Sequence, residues 1–375
     1  MTTLLPRPNR ANTRSPGAGL LRRTAALQDN ALLNSLAWPH GVGGYRDAFR
    51  PGAGAGSIAA VIEAVTPRTD RADSLTLRPE QPMTFAAGQH VLLTCEVDGA
   101  RQTRCYSLSD TPHRRDGCLE VTVAHLPDGL VSSHLTQSVR VGETVGLSAP
   151  QGHRFILPST RPKQVLLIGG GSGITPLRSM WRTLQAEGFG DRVRVLYYAR
   201  TAADAIFADE LADIDGATIV TTREGEGVLS GRFIPSHLTG LDLDPAASAT
   251  YVCGPVGLVD AVRDHWTSLG LDEQLSCESF APPVAPSDPS AAGGILTFAK
   301  AGATHVNTGA TLLDEAEAAG LTPQAGCRMG ICHTCITVKH AGVVKDVRTG
   351  ACDDGGQGEI QLCISQAVGD VQLDL

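Results

Sequence analysis

The stretch "CRMGICHTC" (residues 327–335) sets three cysteines within nine residues, and a fourth, Cys363 in "IQLCISQ", follows after 27 intervening residues. The resulting pattern, C-x4-C-x2-C followed by a distant Cys, is one by which four thiolates hold a 2Fe–2S cluster. Iron bridged by sulfide is held by soft anionic ligands, which is why the pattern uses thiolates throughout. Such a loop must also wrap closely enough for backbone N–H groups to reach the sulfurs, and Gly326 and Gly330 remove the bulk that would prevent it. A structural zinc site usually pairs two short C-x2–4-C knuckles, whereas only one is present here. A disulfide between Cys332 and Cys335 would close too short a loop to constrain the unfolded chain usefully. His333 lies inside the loop, but a Rieske centre replaces two cysteines by two histidines, and all four cysteines are present. Cys327, Cys332, Cys335 and Cys363 are therefore the expected metal ligands.

Around the loop the pattern is of a small α+β unit. Strand-like "ILTFA" leads through "THVNTG" to the helical "TLLDEAEAAG", then the cysteines, "ITVKHAGVV" and a last strand, "DVQLDL". This region, residues 294–375, resembles a plant-type ferredoxin of β-grasp fold. Before it, "APPVAPSDPSAAGG" is rich in Pro, Ser, Ala and Gly and reads as a linker, taken as residues 282–293.

A chain of 375 residues is long enough for two or three domains. Its net charge of −8 argues against nucleic acid as a partner. No apolar run reaches the roughly 18–20 residues needed to cross a bilayer. Ten irregularly scattered cysteines suit a reducing cytoplasm, the expected location, rather than a disulfide scaffold. Residues 1–54 form a basic extension, in which Arg7, Arg10, Arg14, Arg22, Arg23, Arg46 and Arg50 face only Asp29 and Asp47. Its "LLRRTAALQDNALLNSLAW" predicts an amphipathic helix that packs on a neighbouring domain. A basic arm touching the inner face of a membrane, or an acidic partner, is the alternative, and a transit peptide a third. "PGAGAG" (51–56) then reads as a hinge.

From residue 55 to 158, short alternating runs such as "QHVLLTCEV", "TRCYSLS" and "LEVTVAHL" predict an antiparallel β-barrel. From 159 to 281 the texture changes to strand–helix–strand, as in "KQVLLIGGGSGITP", "LRSMWRTLQAEG" and "RVRVLYYAR". That alternation predicts an α/β domain with a parallel sheet. No internal repeat is present.

Six motifs occur in series: "RCYSLS", "DGLVSSHL", "GGGSGITP", "YVCGP", "CESF" and the cysteine loop. In this order they resemble the ferredoxin–NADP reductase superfamily, in its hybrid form with a ferredoxin domain at the C-terminal end. The resemblance implies that Arg104 meets a flavin phosphate, Tyr106 lies against the isoalloxazine and Ser107 hydrogen-bonds near the reactive N5. Strand alternation by itself puts Arg104 and Tyr106 on one face and Ser107 on the other. Gly129 and Ser132 match the family's G-x-x-S at a helix start, a diphosphate site that favours FAD over FMN. Gly169, Gly171 and Gly173 form the nucleotide loop, with Thr175 expected near the nicotinamide and flavin. Ile174 stands where the Rossmann fingerprint has its third glycine, so an ordinary dinucleotide-binding dehydrogenase is disfavoured. Cys253, Gly254 and Pro255 match the family's CGP turn, where the Cys flanks the nicotinamide C4, and Glu278 stands where the family closes the flavin site. Arg200 and Arg223 are candidates for a 2′-phosphate and favour NADPH, although Glu224 and Glu226 beside Arg223 oppose it.

The implied cofactors are FAD, a 2Fe–2S cluster and NAD(P)H as electron donor. The implied activity is an oxidoreductase that splits a hydride pair into single electrons for an acceptor protein. Ser107 and Thr175 are expected to position the rings, and Cys253 and Glu278 to polarise the hydride step. "WPHG", "CYSLS" and "GCRMGICHTC" resemble the actinobacterial reductases that serve membrane stearoyl-CoA desaturases, so fatty-acid desaturation is the expected client reaction. A Rieske or hydroxylase-type oxygenase is the alternative client. A non-enzymatic redox sensor, a different class, would leave the glycine loop and R-x-Y-S without a purpose. A monomer is expected.

Overall fold

The computed structural model describes residues 57–127, 129–225, 230–280, 292–326, 328, 330, 334–348 and 350–375. The N-terminal helix and hinge, most of the linker, Glu226, His333, Cys327 and Cys332 lie outside the described residues.

The first sheet is antiparallel, from β1 (Ile58–Thr69), β2 (Ala72–Pro79), β3 (His90–Val97), β4 (Ala100–Ser107), β5 (Leu119–Ala124) and β6 (Thr144–Leu147), in the order β4-β3-β6-β1-β2-β5. A bridge between Leu108 and Val121 joins the two ends, so the sheet closes as a barrel. Closure removes the free edges, and the inward alternation of Leu75, Leu77, Val91, Leu93, Val121 and Leu147 fills the interior. On β5 the opposite face carries Glu120 and Thr122, and these are buried too, at 6% and 5% exposure. They lie under the next unit.

That unit is a parallel sheet, β7 (Gln164–Gly170), β8 (Val193–Ala199), β9 (Ala217–Thr221), β10 (Ser248–Gly254) and β11 (Leu275–Ser279), ordered β11-β10-β7-β8-β9. Crossovers run through α2 (Ile174–Ala186) and α4 (Val256–Ser268), with the short α3 (Ala208–Ala212) after β8. (α1, Leu130–Ser133, belongs to the barrel.) Strands with both faces covered read as near-continuous apolar runs, as "VLLIGG" and "VRVLYYA" do. Ligands in such sheets bind beyond the carboxyl ends of the strands, which is where the "GGGSG" and "CGP" turns lie.

The third sheet is mixed: β13 (Ala303–Val306), β12 (Ile295–Phe298), β16 (Ser365–Leu373), β14 (Ile336–Asp346) and β15 (Gly358–Gln361), in that order. β12 and β16 run parallel and the other neighbours antiparallel. The helix α5 (Leu312–Ala318) shares a core with this sheet through Leu312, Leu313 and Ala316, together with Cys335 and Cys363. Thr311 caps α5 by accepting from the Asp314 N–H at 3.3 Å. The three architectures expected from the sequence are all present.

Candidate functional site

The strand expected to carry the flavin is β4, whose pairing with β3 sets His90 opposite Ser107, Val91 opposite Tyr106 and Leu93 opposite Arg104. Ser107 ends the strand at 4% exposure, and its Oγ has no hydrogen-bond partner. Burial holds the Tyr106 phenol protonated, far above its usual range. Arg104 is half-buried, with Nη1 on the Thr103 carbonyl at 2.8 Å. Sequence reasoning missed His90, in "GQHVLL". Its Nδ1 lies 4.0 Å from Oε1 of Glu278, so the barrel strand and the edge of the parallel sheet meet there. A polar residue set opposite R-x-Y-S in a strand register was the available signal.

Glu278 sits on β11 in register with Cys253 on β10. Burial raises its carboxyl to about 8, and Oε2 has no partner. Cys253 is fully buried, and burial followed by the Glu278 charge lifts its thiol well above the ordinary value. Both groups are thus neutral at pH 7. A buried hydroxyl (Ser107) and a buried carboxyl oxygen (Glu278), each without a protein partner, are costly unless something completes them. A ring edge carrying nitrogen and carbonyl oxygen would do so, and the residues fit a flavin at this junction.

The nucleotide loop is built by close backbone approach. A Cβ on Gly173 would lie 2.1 Å from the Cys253 carbonyl oxygen, and one on Gly170 would lie 2.8 Å from Pro255. Gly254 approaches the Gly170 backbone in the same way, where a Cβ would come within 3.0 Å. Gly169 lies inside β7 among Ile174, Leu177 and Tyr197, and Gly171 takes φ +54° at an exposed tip. Thr175 is buried, and its hydroxyl donates to Ser172 O at 2.9 Å, so it braces the loop. Ser132 likewise turns inward: its hydroxyl donates to Gly129 O at 3.1 Å and accepts from Leu126 N–H at 3.2 Å. A Cβ on Gly129 would strike that hydroxyl at 2.4 Å, which explains the glycine.

At the ends of β8 and β9, Arg223 N–H donates to Arg200 O at 2.9 Å, so the backbones of these two exposed residues are adjacent. Glu224, expected to oppose a phosphate there, stands beside Arg223 and accepts from Ala202 N–H at 2.8 Å through Oε2.

In the third unit Cys335 and Cys363 are 3% and 5% exposed. Gly330, at φ +71°, donates its N–H to Cys363 Sγ at 3.2 Å. A Cβ on it would meet Ile364 at 2.7 Å, so glycine is required on both counts. The Leu362 N–H donates to Cys335 O at 3.1 Å, tying the two cysteine segments together. A buried sulfur already receiving a backbone N–H fits a thiolate ligand of an iron–sulfur cluster.

Three family profiles match in order: "Oxidoreductase FAD-binding domain" over residues 61–156, "Oxidoreductase NAD-binding domain" over 167–264 and "2Fe-2S iron-sulfur cluster binding domain" over 299–367. The chain belongs to the ferredoxin–NADP reductase superfamily, in its iron–sulfur branch. It is an NAD(P)H oxidoreductase that uses FAD and a 2Fe–2S cluster. A Mycobacterium tuberculosis "NADPH oxidoreductase" is 35% identical over 96% of this chain and 94% of its own. A "3-ketosteroid-9-alpha-monooxygenase, ferredoxin reductase component" of the same species is 32% identical over 76% and 85%. Among solved structures, phthalate dioxygenase reductase superposes with a TM-score of 0.62 at 25% identity, covering 85% of this chain and 98% of that one. Among the described residues no helix is long and apolar enough to cross a membrane.

The buried Glu278 of this reductase makes a pH prediction. Its folded-state value of about 8 lies above the ordinary value of 4.5, so protonation favours the folded state. Its contribution is full below about pH 4.5 and is lost as pH rises through about 8. Thermal unfolding of the wild type and Glu278→Gln across this range is expected to show the wild type losing stability relative to the variant as pH rises. A constant difference would refute the buried neutral carboxyl.

Proposed function

We propose that this protein is the NADPH-dependent reductase of a membrane fatty-acid desaturase, with FAD and the cluster as its internal relay. The observation that carries the reductase reading is the junction at His90, which pairs with Ser107 in the barrel and lies 4.0 Å from Glu278 at the end of a nucleotide-type sheet, Ser107 and Glu278 each keeping an unsatisfied buried polar atom. When bound, the flavin accepts a hydride and the cluster carries electrons singly. The chain's part is to hold the rings and keep water out. Ser107 and the neutral Glu278 offer a hydroxyl and a carboxyl proton to the flavin edge. The close-packed glycines keep the "CGP" turn against the nucleotide loop. Cys327, Cys332, Cys335 and Cys363 hold the cluster, and the Gly330 N–H favours its reduced, more negative form.

For the donor, the adjacent Arg200 and Arg223 and the engagement of Glu224 by Ala202 support NADPH, as does the printed name of the mycobacterial relative. Charged hydrogen bonds are worth about 1.5–3 kcal/mol. The Arg200→Ala/Arg223→Ala double variant is therefore expected to raise KM for NADPH by roughly 10–100-fold while KM for NADH stays put. Equal change for both nucleotides would remove the 2′-phosphate assignment.

For the acceptor, the match over 96% of the chain must include most of residues 1–54, the region where "WPHG" resembles the desaturase reductases. The monooxygenase component matches 76%. Its printed name, and that of phthalate dioxygenase reductase, support the second reading, an oxygenase client. The test supplies purified protein and NADPH to membranes bearing a stearoyl-CoA desaturase and, separately, to a Rieske oxygenase. Desaturation that depends on this protein is the expected result, and turnover confined to the oxygenase would move the assignment to that client.

A further inference from the structure

The residue at the seam between the barrel and the parallel sheet is Arg178, 2% exposed on α2. One edge of its guanidinium grips Glu210 of α3, with Nε to Oε2 at 2.8 Å and Nη2 to Oε1 at 2.7 Å. Its Nη1 crosses to the barrel, donating to Ser109 O at 2.8 Å and Glu120 Oε1 at 2.6 Å. Its face lies over the Phe207 ring, 4.4 Å from the centroid, and Arg68 of the barrel lies 5.1 Å from the same centroid. Phe207 takes φ +62°, a left-handed conformation that a bulky residue adopts only when its surroundings enforce it. Along α2, Ser179 Oγ donates to Asp110 O at 2.7 Å and Arg182 pairs with Asp110 at 2.9 Å. Beyond the helix end, Glu187 meets His113 of the barrel at 2.9 Å.

Two sequence intervals give this knot its meaning. Ser109 lies two residues beyond Ser107, and Arg178 lies one helical turn beyond Thr175. The knot therefore joins the strand end assigned to the flavin and the loop assigned to the nicotinamide, through one planar group with fixed donors. We propose that Arg178 is a positioning residue for hydride transfer, setting the separation of the two rings without touching either. The proposal rests on the reductase reading above. Lysine cannot replace the fork, because one ammonium cannot serve Glu210 bidentately, reach Ser109 O and lie flat on Phe207. In Arg178→Met, Glu120 and Glu210 would keep only the longer cation contacts of Arg68, Arg114 and Arg182, at 3.4–3.7 Å, and would lose the short bonds that tie α2 to the barrel.

The test uses the full chain loaded with FAD and cluster, comparing wild type, Arg178→Lys and Arg178→Met. It records hydride transfer by stopped-flow absorbance, the long-wavelength charge-transfer band on mixing with NADPH, and amide exchange at residues 107–111. A displacement of about 1 Å at reacting atoms can cost about 10²-fold. Loss of that order is expected for Arg178→Met and about tenfold for Arg178→Lys, with KM for NADPH nearly unchanged. In both variants the band should weaken and exchange at residues 107–111 quicken. A merely structural Arg178 would lower the melting temperature but leave the rate and band of the folded, FAD-bound fraction within twofold of wild type, and that result overturns the proposal. Should Arg178→Met fail to fold or to hold FAD, Arg178→Lys decides by the same criterion. Failure of the reductase reading itself would show separately, as no flavin bleaching by NADPH in the wild type.

Discussion

Cys335→Ser is expected to abolish NADPH-dependent cytochrome c reduction while flavin bleaching by NADPH continues at the wild-type rate. Cys335 is 3% exposed in the core of the third unit, and its carbonyl receives the Leu362 N–H beside Cys363. A serine there puts a hard oxygen where a soft thiolate is needed, so the cluster is lost or its potential displaced. The barrel has its own core, formed by other residues, so the flavin junction does not depend on this one. Under the proposed electron order, a one-electron acceptor such as cytochrome c would take its electrons through the cluster, whereas oxidation of NADPH would need only the flavin and the nucleotide loop. The checks are stopped-flow flavin absorbance, EPR of the dithionite-reduced protein and steady-state cytochrome c reduction. Flavin bleaching that vanished in a folded, FAD-containing variant would reverse the proposed electron order.

Much of this was legible because the chemistry is written in short stretches. The cysteine spacing, the glycine loop and the turn from alternating to continuous apolar strands each depend on local sequence. The seam was not legible, for a physical reason. In "LEVTVA" the alternation of Leu119, Val121 and Val123 correctly marks the inward face of the barrel, and Glu120 and Thr122 then read as solvent-facing. The structure buries them at 6% and 5% because a second domain covers that face, and Arg178 of α2 neutralises the carboxylate. Periodicity within one strand carries no information about a partner some sixty residues away. The same holds for His90, whose place beside Glu278 depends on barrel register and on the packing of β11. Ser132 and Thr175 show a subtler limit. Their hydroxyls are spent on Gly129 O and Ser172 O, so both residues shape their loops, a use the motifs did not disclose.

Gly173→Ala is expected to lower hydride transfer by about 10²-fold, the order of loss that follows an ångström-scale displacement of reacting groups. The cause is contact and not conformation, since Gly173 has φ −62°, which alanine adopts freely. The added methyl would lie 2.1 Å from the Cys253 carbonyl oxygen, 2.4 Å from its carbon and 2.7 Å from Gly254 N. All three atoms are backbone, on β10, which is held between β7 and β11 and cannot retreat. The nucleotide loop must move away instead, carrying Thr175 with it and opening the contact to the "CGP" turn. Overpacking of this kind also destabilises by about 1–3 kcal/mol, so melting temperature is measured beside the rate. Gly188→Ala, outside the nucleotide loop, is the matched control: its Cβ meets nothing within 4 Å, and only the left-handed φ of +80° opposes it. Similar stability loss in the two variants, with slow hydride transfer in Gly173→Ala alone, would separate ring placement from folding. Wild-type hydride transfer in Gly173→Ala would mean that the loop's backbone contact does not set the ring separation.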